Sequence, residues 1–496
     1  MKFNQDALKV ILGVKLKQFR RSKGLSLKEL TAISGVSTSY LNEIESGKKF
    51  PKKDKISDLA RALKIPTEDL LNFNLGDHMT PLITLLKSNF LSDLPLDLFG
   101  ISSSSLLKTI SRSPNKFSAF VSTLVQIAKT YGMQVEDFYM AALRSYREMN
   151  HDYFPKMEEK ADAFLAENNL EDACPISSEE LMNILIKKYR YKIESMPLDE
   201  NFSLQEVRSI FKPGKPKKLF VNPSLTESQR SFIFAKEIGY NLLKCKKRPL
   251  TAKALGYTSF EEVLNDYLAG SIAEAILVPR KKLAADIEII TKGGNWDSTK
   301  FISILRKYNV HQECLFHRMS QVFYKDFGVK KLFFLRMDYD NQSNNYQIKK
   351  ELHVGGLHRQ HGIGLREHYC RRWVTITLLQ KLTQRNQFSM DYNPILDVQR
   401  ARFGQDDDYF VFAMASPSKQ RNEISNCIAI GFKLTDTLIQ KVPFLSSTEI
   451  PSVDVGETCE RCSNMDCLER SSPPKVLRRD HHIAKIKESV DHFINP

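Results

Sequence analysis

The chain has 496 residues, which is too many for a single hydrophobic core and predicts roughly two to four domains. Hydrophobic residues at 42% and charged residues at 26% are typical of globular proteins and exclude wholesale disorder. The formal net charge of +15 favours an anionic partner, and nucleic acid is the most common one. We find no secretory signal and no apolar run near the roughly 18 residues of a membrane helix, so we expect a cytoplasmic protein without a membrane partner.

Residues 1–75 predict a bundle of short helices. The apolar residues of the first helix recur at helical spacing: Leu8, Leu12, Leu16 and Phe19. Ser26, with Glu29 three residues later, forms a capping box that begins the second helix, and Ser37 caps a third. A fourth helix is indicated by three further apolar residues: Ile56, Leu59 and Leu63.

The third helix has small polar side chains on the side that its apolar residues leave free. Two short helices joined by a glycine-containing turn, the second of this polar kind, suit insertion into the major groove of DNA. Residues 1–75 hold 15 basic and 8 acidic side chains, a balance of about +7, which is the sign that phosphate contact requires. The candidate contacts to base edges are Ser37, Thr38, Ser39, Tyr40 and Asn42, and the candidate contacts to phosphates are Lys48 and Lys49, with Lys52 and Lys53.

This stretch resembles the lambda-repressor/Cro-like (XRE) family. The motifs that carry the resemblance are Leu25-Ser26-Leu27-Lys28-Glu29-Leu30, Gly35-Val36-Ser37 and Tyr40-Leu41-Asn42-Glu43-Ile44-Glu45-Ser46-Gly47. The resemblance implies an all-α head that binds double-stranded DNA, with Leu27 where the family usually has a Gln that touches a phosphate or base. The alternative is a small helical module used for protein contacts.

Residues 76–150 predict a mostly helical connector. Apolar residues recur at helical spacing over residues 82–99 and 117–128, with a break at Ser113-Pro114. Such a connector is a candidate for dimer contacts, and we expect a homodimer because symmetric operators suit one.

The predicted helix over residues 230–240 invites comparison with the zinc motif H-E-x-x-H. In that motif two histidines bind one ion and the Glu acts as general base. Here Lys236 and Tyr240 occupy the two histidine positions, and only Glu237 remains. An ammonium and a phenol are poor zinc ligands at neutral pH, so we predict no catalytic residues and no enzyme.

The surroundings of this helix, including residues 269–279, resemble the ImmA/IrrE-type metallopeptidase domain. In that family a Glu just upstream supplies the third ligand, and the matching place, about Leu268, is apolar here. The resemblance implies a degenerate metallopeptidase-like fold over residues 151–328 that has lost its chemistry. The competing hypothesis is an antirepressor peptidase that cleaves another regulator.

Beyond Lys331 the pattern changes toward strands, and residues 329–496 predict an α+β sensor domain around an antiparallel sheet. Short apolar runs indicate strands at residues 332–337, 409–414 and 427–432, and residues 341–345 indicate a turn. Residues 374–382 fit either a helix or a strand.

Three cysteines lie close together near the end of the sequence, in the pattern C-x2-C-x4-C: Cys459, Cys462 and Cys467. Such a trio can bind a zinc ion from three sides, and tetrahedral zinc then requires a fourth ligand. Cys370 is our first choice for it and His368 the second. An iron–sulfur cluster ranks below zinc, and three surface thiols without a metal are the remaining alternative.

Nearly the whole chain is similar to the short-chain fatty acyl (ScfR-type) regulators of the XRE family. The matching motifs are Ala142-Leu143-Arg144-Ser145-Tyr146, Tyr153-Phe154-Pro155, Leu315-Phe316-His317-Arg318, His368-Tyr369-Cys370-Arg371-Arg372-Trp373 and the final cysteine cluster. The resemblance implies a regulator that responds to a short-chain acyl-CoA and controls genes of carboxylate metabolism, of the propionate or acetate type.

A pocket for a CoA thioester needs cations for the phosphates and an apolar slot for the acyl chain. The candidate effector-binding residues are His358, Arg371, Arg372 and Trp373. The alternative is that the two arginines pair with local carboxylates and that Trp373 belongs to the core.

The sequence therefore predicts an α+β multidomain protein with a helix-turn-helix head, a helical connector, a degenerate metallopeptidase-like domain and a C-terminal sensor domain. The favoured function is a dimeric DNA-binding transcriptional regulator, either activator or repressor. An antitoxin-like protein that binds a partner protein is a further alternative.

Overall fold

A computed structural model describes residues 5–71, 110, 114–130, 132–197, 204, 207–251, 256–292, 296–355, 367–388, 393–403, 407–417 and 424–495. The predicted helix over residues 82–99 and the candidate effector residue His358 lie outside these described residues. The chain divides into two compact units, one of residues 1–146 and 256–264 and the other of residues 147–255 and 265–496. No helix in the described part combines the length and apolar character needed to cross a membrane.

The first unit begins with the predicted bundle of short helices: α1 (Gln5–Ser22), α2 (Leu27–Ser34), α3 (Thr38–Glu45), α4 (Lys53–Leu63) and α5 (Thr67–Leu71). The capping box at α2 is confirmed, since Ser26 Oγ accepts from the Glu29 N–H at 3.2 Å and Glu29 Oε2 accepts from the Ser26 N–H at 2.7 Å. The bundle encloses one apolar core, which includes Leu16, Leu30, Leu41, Ile44 and Leu59. Two further helices follow, α6 (Pro114–Thr130) and α7 (Val135–Met149), which agree with the predicted helical connector.

The second unit opens with helices and a small sheet. Its elements are α8 (Pro155–Glu167), α9 (Ser178–Lys187), β1 (Tyr191–Ser195), β2 (Ser209–Lys212), β3 (Lys217–Val221), α10 (Glu227–Leu243) and α11 (Phe260–Leu277), the last of which begins within the first unit. Strand β3 lies in the middle of the sheet, parallel to β1 and antiparallel to β2. Three helices come next: α12 (Arg280–Thr291), α13 (Ser298–Tyr308) and α14 (Gln312–Lys325).

A second, six-stranded sheet follows in the same unit, in the order β5-β4-β8-β7-β6-β9. Its elements are β4 (Leu332–Asp340), β5 (Asn345–Val354), α15 (Val374–Phe388), β6 (Ile395–Phe403), β7 (Asp407–Pro417), β8 (Ile424–Lys433), α16 (Asp436–Lys441), β9 (Ser452–Asp454) and α17 (Lys475–Ile494). The three predicted strands are confirmed, and the ambiguous residues 374–382 are helical. Neighbouring strands are antiparallel except β6 and β9, which run parallel.

The large sheet is buried on both faces. Alternate residues of β7 illustrate this, since Phe410 and Phe412 belong to one apolar cluster and Val411 and Ala413 to another. The first cluster extends from Ala161 to Ile450 and so joins residues on both sides of the predicted domain boundary at 328/329. In the structure these two predicted domains share one core.

Gly13 brings α1 into close contact with α3. A Cβ atom at this position would lie 2.3 Å from the carbonyl oxygen of Ile44, which is backbone and cannot rotate away. Any larger residue therefore forces α1 and α3 apart.

We predict that Gly13→Ala destabilises the head by about 1–3 kcal/mol, the usual cost of overpacking. Hydrogen exchange of amides in α1 and α3 measures the change locally, which matters in a chain of several units. The matched control is Gly270→Ala in α11, where a Cβ would have no neighbour within 4 Å. Equal protection in the Gly13→Ala variant and the unmodified protein would show that this close approach does not constrain the head.

Candidate functional site

Helix α3 presents to solvent the side chains that the sequence predicts as base contacts. Ser37, Thr38, Ser39 and Asn42 are exposed and Tyr40 is half-buried. The opposite side of the helix is buried through Leu41, Ile44 and Glu45. Ser37 Oγ accepts from the Tyr40 N–H at 3.3 Å and so fixes the start of the helix. The structure therefore groups all five predicted base-contacting residues on one helix and its cap.

A buried ion pair holds α3 against α1. The Arg20 guanidinium donates from Nε and Nη2 to the two Glu45 carboxylate oxygens, at 2.6 and 2.8 Å. Its Nη1 donates to the carbonyl of Leu25 at 2.7 Å, and both side chains of the pair are buried. Such a bidentate pair fixes direction as well as distance, so the orientation of α3 depends on it. Sequence analysis missed this pair because its partners are 25 residues apart.

The predicted phosphate contacts lie just after α3. Lys48, Lys49, Lys52 and Lys53 are all exposed. Lys49 forms an ion pair with Glu43 at 3.0 Å, and its ammonium lies 5.4 Å from the centre of the Tyr40 ring. Phosphate contact by Lys49 must compete with Glu43, whereas Lys48 has no ion pair among the described residues within 4.0 Å.

The positions compared with a zinc site in the second unit hold an ion pair. Lys236 Nζ lies 2.7 Å from Asp266 Oδ1, and the Tyr240 hydroxyl donates to the same oxygen at 2.5 Å. Burial and the charge of Asp266 raise the pKa of the Tyr240 phenol far above its usual value, so it remains neutral. The positive charge at these positions is the ammonium of Lys236, so these residues do not fit a zinc ion.

The acidic partner of Lys236 and Tyr240 is Asp266, two residues before Leu268, the place that the sequence comparison gives for the third ligand. Two residues along an α-helix differ by more than half a turn in direction, so Asp266 and Leu268 lie on different sides of α11.

Glu237, the remaining residue of the zinc motif, is buried and fully engaged. It accepts a hydrogen bond from Arg248 Nη1 at 2.7 Å and another from the Tyr191 hydroxyl at 3.0 Å. The Arg248 guanidinium lies between two aromatic rings, 3.7 Å from the centre of Tyr240 and 3.9 Å from that of Phe211. Both carboxylate oxygens of Glu237 are thus bonded to side chains of the protein itself.

A cleft of about 680 Å³ opens beside this cluster, within the second unit. It has an apolar part, which includes Phe232, Leu277 and Val310. Five lysine and arginine side chains line it: Arg208, Lys236, Arg336, Lys349 and Lys350. Four carboxylates line it as well: Asp266, Glu274, Glu313 and Asp338. His317 also lines the cleft and is positively charged near neutral pH. The lining therefore has two more positive than negative groups and is moderately cationic.

A buried network of charged groups lies along one side of the cleft, at Glu274 and His317. His317 Nε2 lies 2.7 Å from Asp152 Oδ2, and its Nδ1 contacts Glu274. Arg147 Nε and the Tyr267 hydroxyl donate to Asp152 Oδ1, at 2.7 and 2.6 Å. Burial alone would lower the pKa of His317, but the charges of Glu274 and Asp152 outweigh it and raise the pKa to about 9. His317 is therefore an imidazolium near neutral pH.

The predicted effector residues that the structure describes lie away from this cleft. Trp373 is in the core, with its indole Nε1 donating to the Gly456 carbonyl at 2.8 Å. Arg371 lines a smaller cavity of about 290 Å³, where its guanidinium lies 4.5 Å from the centre of the Tyr346 ring. Arg372 is half-buried, and its carbonyl accepts from Gln399 at 3.0 Å. Their contact with an effector stays a prediction.

The predicted metal ligands are near one another only in part. The Gly456 N–H lies 3.5 Å from Cys370 Sγ, and a Cβ on Gly456 would lie 3.2 Å from Cys462 Sγ. Cys459 Sγ accepts from the Ser471 N–H at 3.4 Å. Burial raises the pKa of the Cys370 thiol, and Cys462 and Cys459 lie close enough to raise it further. Throughout the described ranges, no three or more His, Cys, Asp or Glu side chains are grouped as a metal ion requires. Zinc at Cys370, Cys459, Cys462 and Cys467 stays a prediction.

We predict that His317→Gln lowers the free energy of unfolding by about 3 kcal/mol near pH 6, because Glu274 and Asp152 lose a buried cation. The pKa of His317 is higher in the folded protein than its value of about 6.5 in the unfolded chain, so its protonation stabilises the fold. This stabilisation is complete below about pH 6.5 and is lost as the pH rises. The difference from the unmodified protein should therefore shrink as the pH rises from about 6.5 and be lost above about 9.

Denaturant unfolding of both proteins across this pH range measures the effect, with the exposed His481→Gln as the matched control. A loss of stability that is equal at every pH would assign the role of His317 to packing and not to charge.

Comparison with known proteins identifies the head. A family model described as Helix-turn-helix matches residues 16–70. The chain is 38% identical over 60 residues to the uncharacterized HTH-type transcriptional regulator RghRB of Bacillus subtilis (strain 168), covering 12% of this chain and 43% of that protein. It is 33% identical over 64 residues to the uncharacterized HTH-type transcriptional regulator y4dJ of Sinorhizobium fredii, covering 13% of this chain and 83% of that protein. The chain thus spans less than half of the length of the Bacillus relative.

A solved Mycobacterium tuberculosis transcriptional regulator is similar at 16% sequence identity and a TM-score of 0.46, over 66% of this chain and 92% of that chain. The match to the Sinorhizobium relative covers most of that protein, and it agrees with the helix-turn-helix geometry of α2 and α3. The chain belongs to the helix-turn-helix transcriptional regulators of the XRE family.

Proposed function

We propose that this chain binds specific sites on double-stranded DNA through α3 and regulates transcription from them in response to a small ligand. The observation that carries the proposal is the exposed polar face of α3, which the buried Arg20–Glu45 pair holds in a fixed orientation. A recognition helix must hold its side chains at defined positions relative to the base edges. Recognition of a specific DNA sequence therefore requires rigid support of this kind.

Contacts to DNA then divide into two kinds. Asn42 has an amide that can bond an adenine edge with both a donor and an acceptor, and Ser39 has a hydroxyl that suits several bases. Lys48, Lys52 and Lys53 contribute charge to the phosphates, which adds affinity without sequence information. Two heads in a homodimer would read two half-sites about one helical turn apart.

We propose the cleft of the second unit as the effector site, and a short-chain acyl-CoA as the effector. Its volume of about 680 Å³ lies within the range of about 300–1,000 Å³ that is common for small-molecule sites. Arg208 and Lys349 provide cations for phosphates, and Phe232, Leu277 and Val310 provide an apolar surface for an acyl chain. The regulated genes would then belong to carboxylate metabolism.

A peptidase is the competing function, and the arrangement at Lys236 argues against it. A metallopeptidase needs a cation that activates water and a carboxylate free to take its proton. Here the ammonium of Lys236 is paired with Asp266, and Glu237 is bonded to Arg248 and Tyr191. We therefore propose that this part of the chain serves as a scaffold without catalysis.

We predict that Asn42→Ala weakens specific DNA binding by about 1–3 kcal/mol, the usual value of a bidentate base contact, and leaves non-specific binding nearly unchanged. Fluorescence anisotropy at stated salt, with DNA from upstream of the protein's own gene and with an unrelated duplex, measures both. The matched control is Asn183→Ala, an exposed asparagine within α9. Equal loss on both duplexes would remove Asn42 from base reading.

The effector is tested by adding acetyl-, propionyl- and butyryl-CoA to the same binding assay. We expect one of them to shift the affinity for specific DNA, and Arg208→Ala to weaken that shift because a phosphate partner is lost. Lys187→Ala, at an exposed lysine of α9, is the control. Specific binding that ignores all three thioesters would retain the regulator and discard the acyl-CoA effector.

A further inference from the structure

The last helix, α17, has no buried residue along its 20 residues. Its start is held to the rest of the unit, since the N–H groups of Val476 and Leu477 donate to the Glu460 carbonyl, each at 3.1 Å. Beyond that point its large apolar side chains are exposed: Ile483 by 44%, Ile486 by 49%, Val490 by 47%, Phe493 by 87% and Ile494 by 66%. An isolated helix of this length is only marginally stable in water, so this exposed face calls for a partner.

The apolar residues of α17 recur at alternating steps of three and four. The positions along this stripe are Val476, Arg479, Ile483, Ile486, Val490 and Phe493. This spacing is the a/d pattern of a coiled coil, in which a narrow seam faces one other helix. A helix packed on a globular core usually has a broader apolar face. The pattern therefore indicates a helical partner of similar length.

We propose that α17 pairs antiparallel with α17 of a second copy of this chain. The seam itself favours this orientation, because Arg479 interrupts the apolar stripe near one end. In a parallel pair the two Arg479 side chains would lie in the same layer and repel each other. In the antiparallel pair Arg479 faces Val490 of the other copy, Ile483 faces Ile486, and Val476 faces Phe493.

The charges beside the seam agree with the antiparallel arrangement. Asp480 and Lys487 flank the stripe on the same side, one heptad apart, and both are exposed. Within one chain Asp480 pairs with the neighbouring Arg479 at 3.1 Å, a surface contact that it can share with a Lys487. In an antiparallel pair the residues of this flank face the same flank of the other helix, so each Asp480 meets a Lys487. A parallel pair would instead bring His482 toward Lys487, which forms no acid–base pair. It would bring Lys475 toward Asp480 only at the start of α17, where Val476 and Leu477 are already bonded to the rest of the unit.

This self-complementarity is what selects a second copy over other partners. When two copies of this helix pair across a two-fold axis, their apolar residues form common layers and the two Arg479 side chains lie in different layers. The same arrangement places each Asp480 beside a Lys487 of the other copy. A membrane surface or an unrelated helix would not require Asp480 and Lys487 to be spaced one heptad apart. The helix spans only about 30 Å, so the pair is a short interface with moderate affinity.

The test uses sedimentation velocity of the full chain over a range of concentrations. We expect Ile483→Glu to weaken self-association by about tenfold or more, since it places a charge in the central layer. Ala484→Glu adds the same charge on the exposed opposite side and should leave self-association unchanged. Because Ile483 and Ala484 are both exposed within the single chain, both variants should keep the unfolding midpoint of the unmodified protein.

The charge pairs test the orientation. Asp480→Lys and Lys487→Asp should each weaken self-association alone, while an equimolar mixture of the two variants should associate as tightly as the unmodified protein. Unchanged association in Ile483→Glu overturns the proposal. The proposal is also overturned if the unmodified chain sediments as a monomer and binds phosphatidylglycerol vesicles, and if Ile483→Glu abolishes that binding.

Discussion

The carboxylate of Asp152 is almost fully buried, and it receives side chains from three separate helices: Arg147 of α7, Tyr267 of α11 and His317 of α14. A buried carboxylate without partners would cost several kcal/mol, so these groups must come together for the second unit to fold. Asp152 itself has a positive φ of 55°, a conformation that non-glycine residues rarely adopt. This backbone strain is tolerated because several hydrogen bonds and ion pairs together fix the position of Asp152.

A similar requirement holds at the positions compared with a zinc motif. Lys236 of α10 and Asp266 of α11 hold these two helices together through their ion pair, and Tyr240 adds a hydrogen bond from the same face. Gly239 permits the close approach of the two helices, since a Cβ there would lie 2.6 Å from the carbonyl oxygen of Ala269. The ion pair and the close packing at Gly239 therefore stabilise the same contact between α10 and α11.

Local patterns in the sequence predicted many of the helices and strands. They did not predict contacts between residues that are far apart in the sequence. The capping box at Ser26 and the exposed face of α3 depend on residues within one turn of each other, so spacing was enough to identify them. Strands β7 and β8 were visible because a sheet buried on both faces produces continuous apolar runs. Strand β6 was missed, since Asp397, Gln399, Arg400 and Arg402 interrupt its apolar residues. The partners Asp152 and His317 are 165 residues apart, and no periodicity connects them.

The balance of charge in the cleft constrains how any anionic effector could act. Glu313 already pairs with Arg336 at 2.9 Å and with Lys350. Burial alone would raise the pKa of Glu313, but these two cations outweigh it and hold the pKa well below its usual range. A phosphate that took over Arg336 or Lys350 would leave the buried Glu313 carboxylate without its cations. Breaking a buried pair in this way costs roughly 3–5 kcal/mol, so the proposed effector gains more from Arg208 and Lys349 than from the cations that Glu313 already holds. A ligand shifts a conformational equilibrium only by its difference in affinity between two states. For the proposed effector, that difference would have to arise at cations that Glu313 does not already hold.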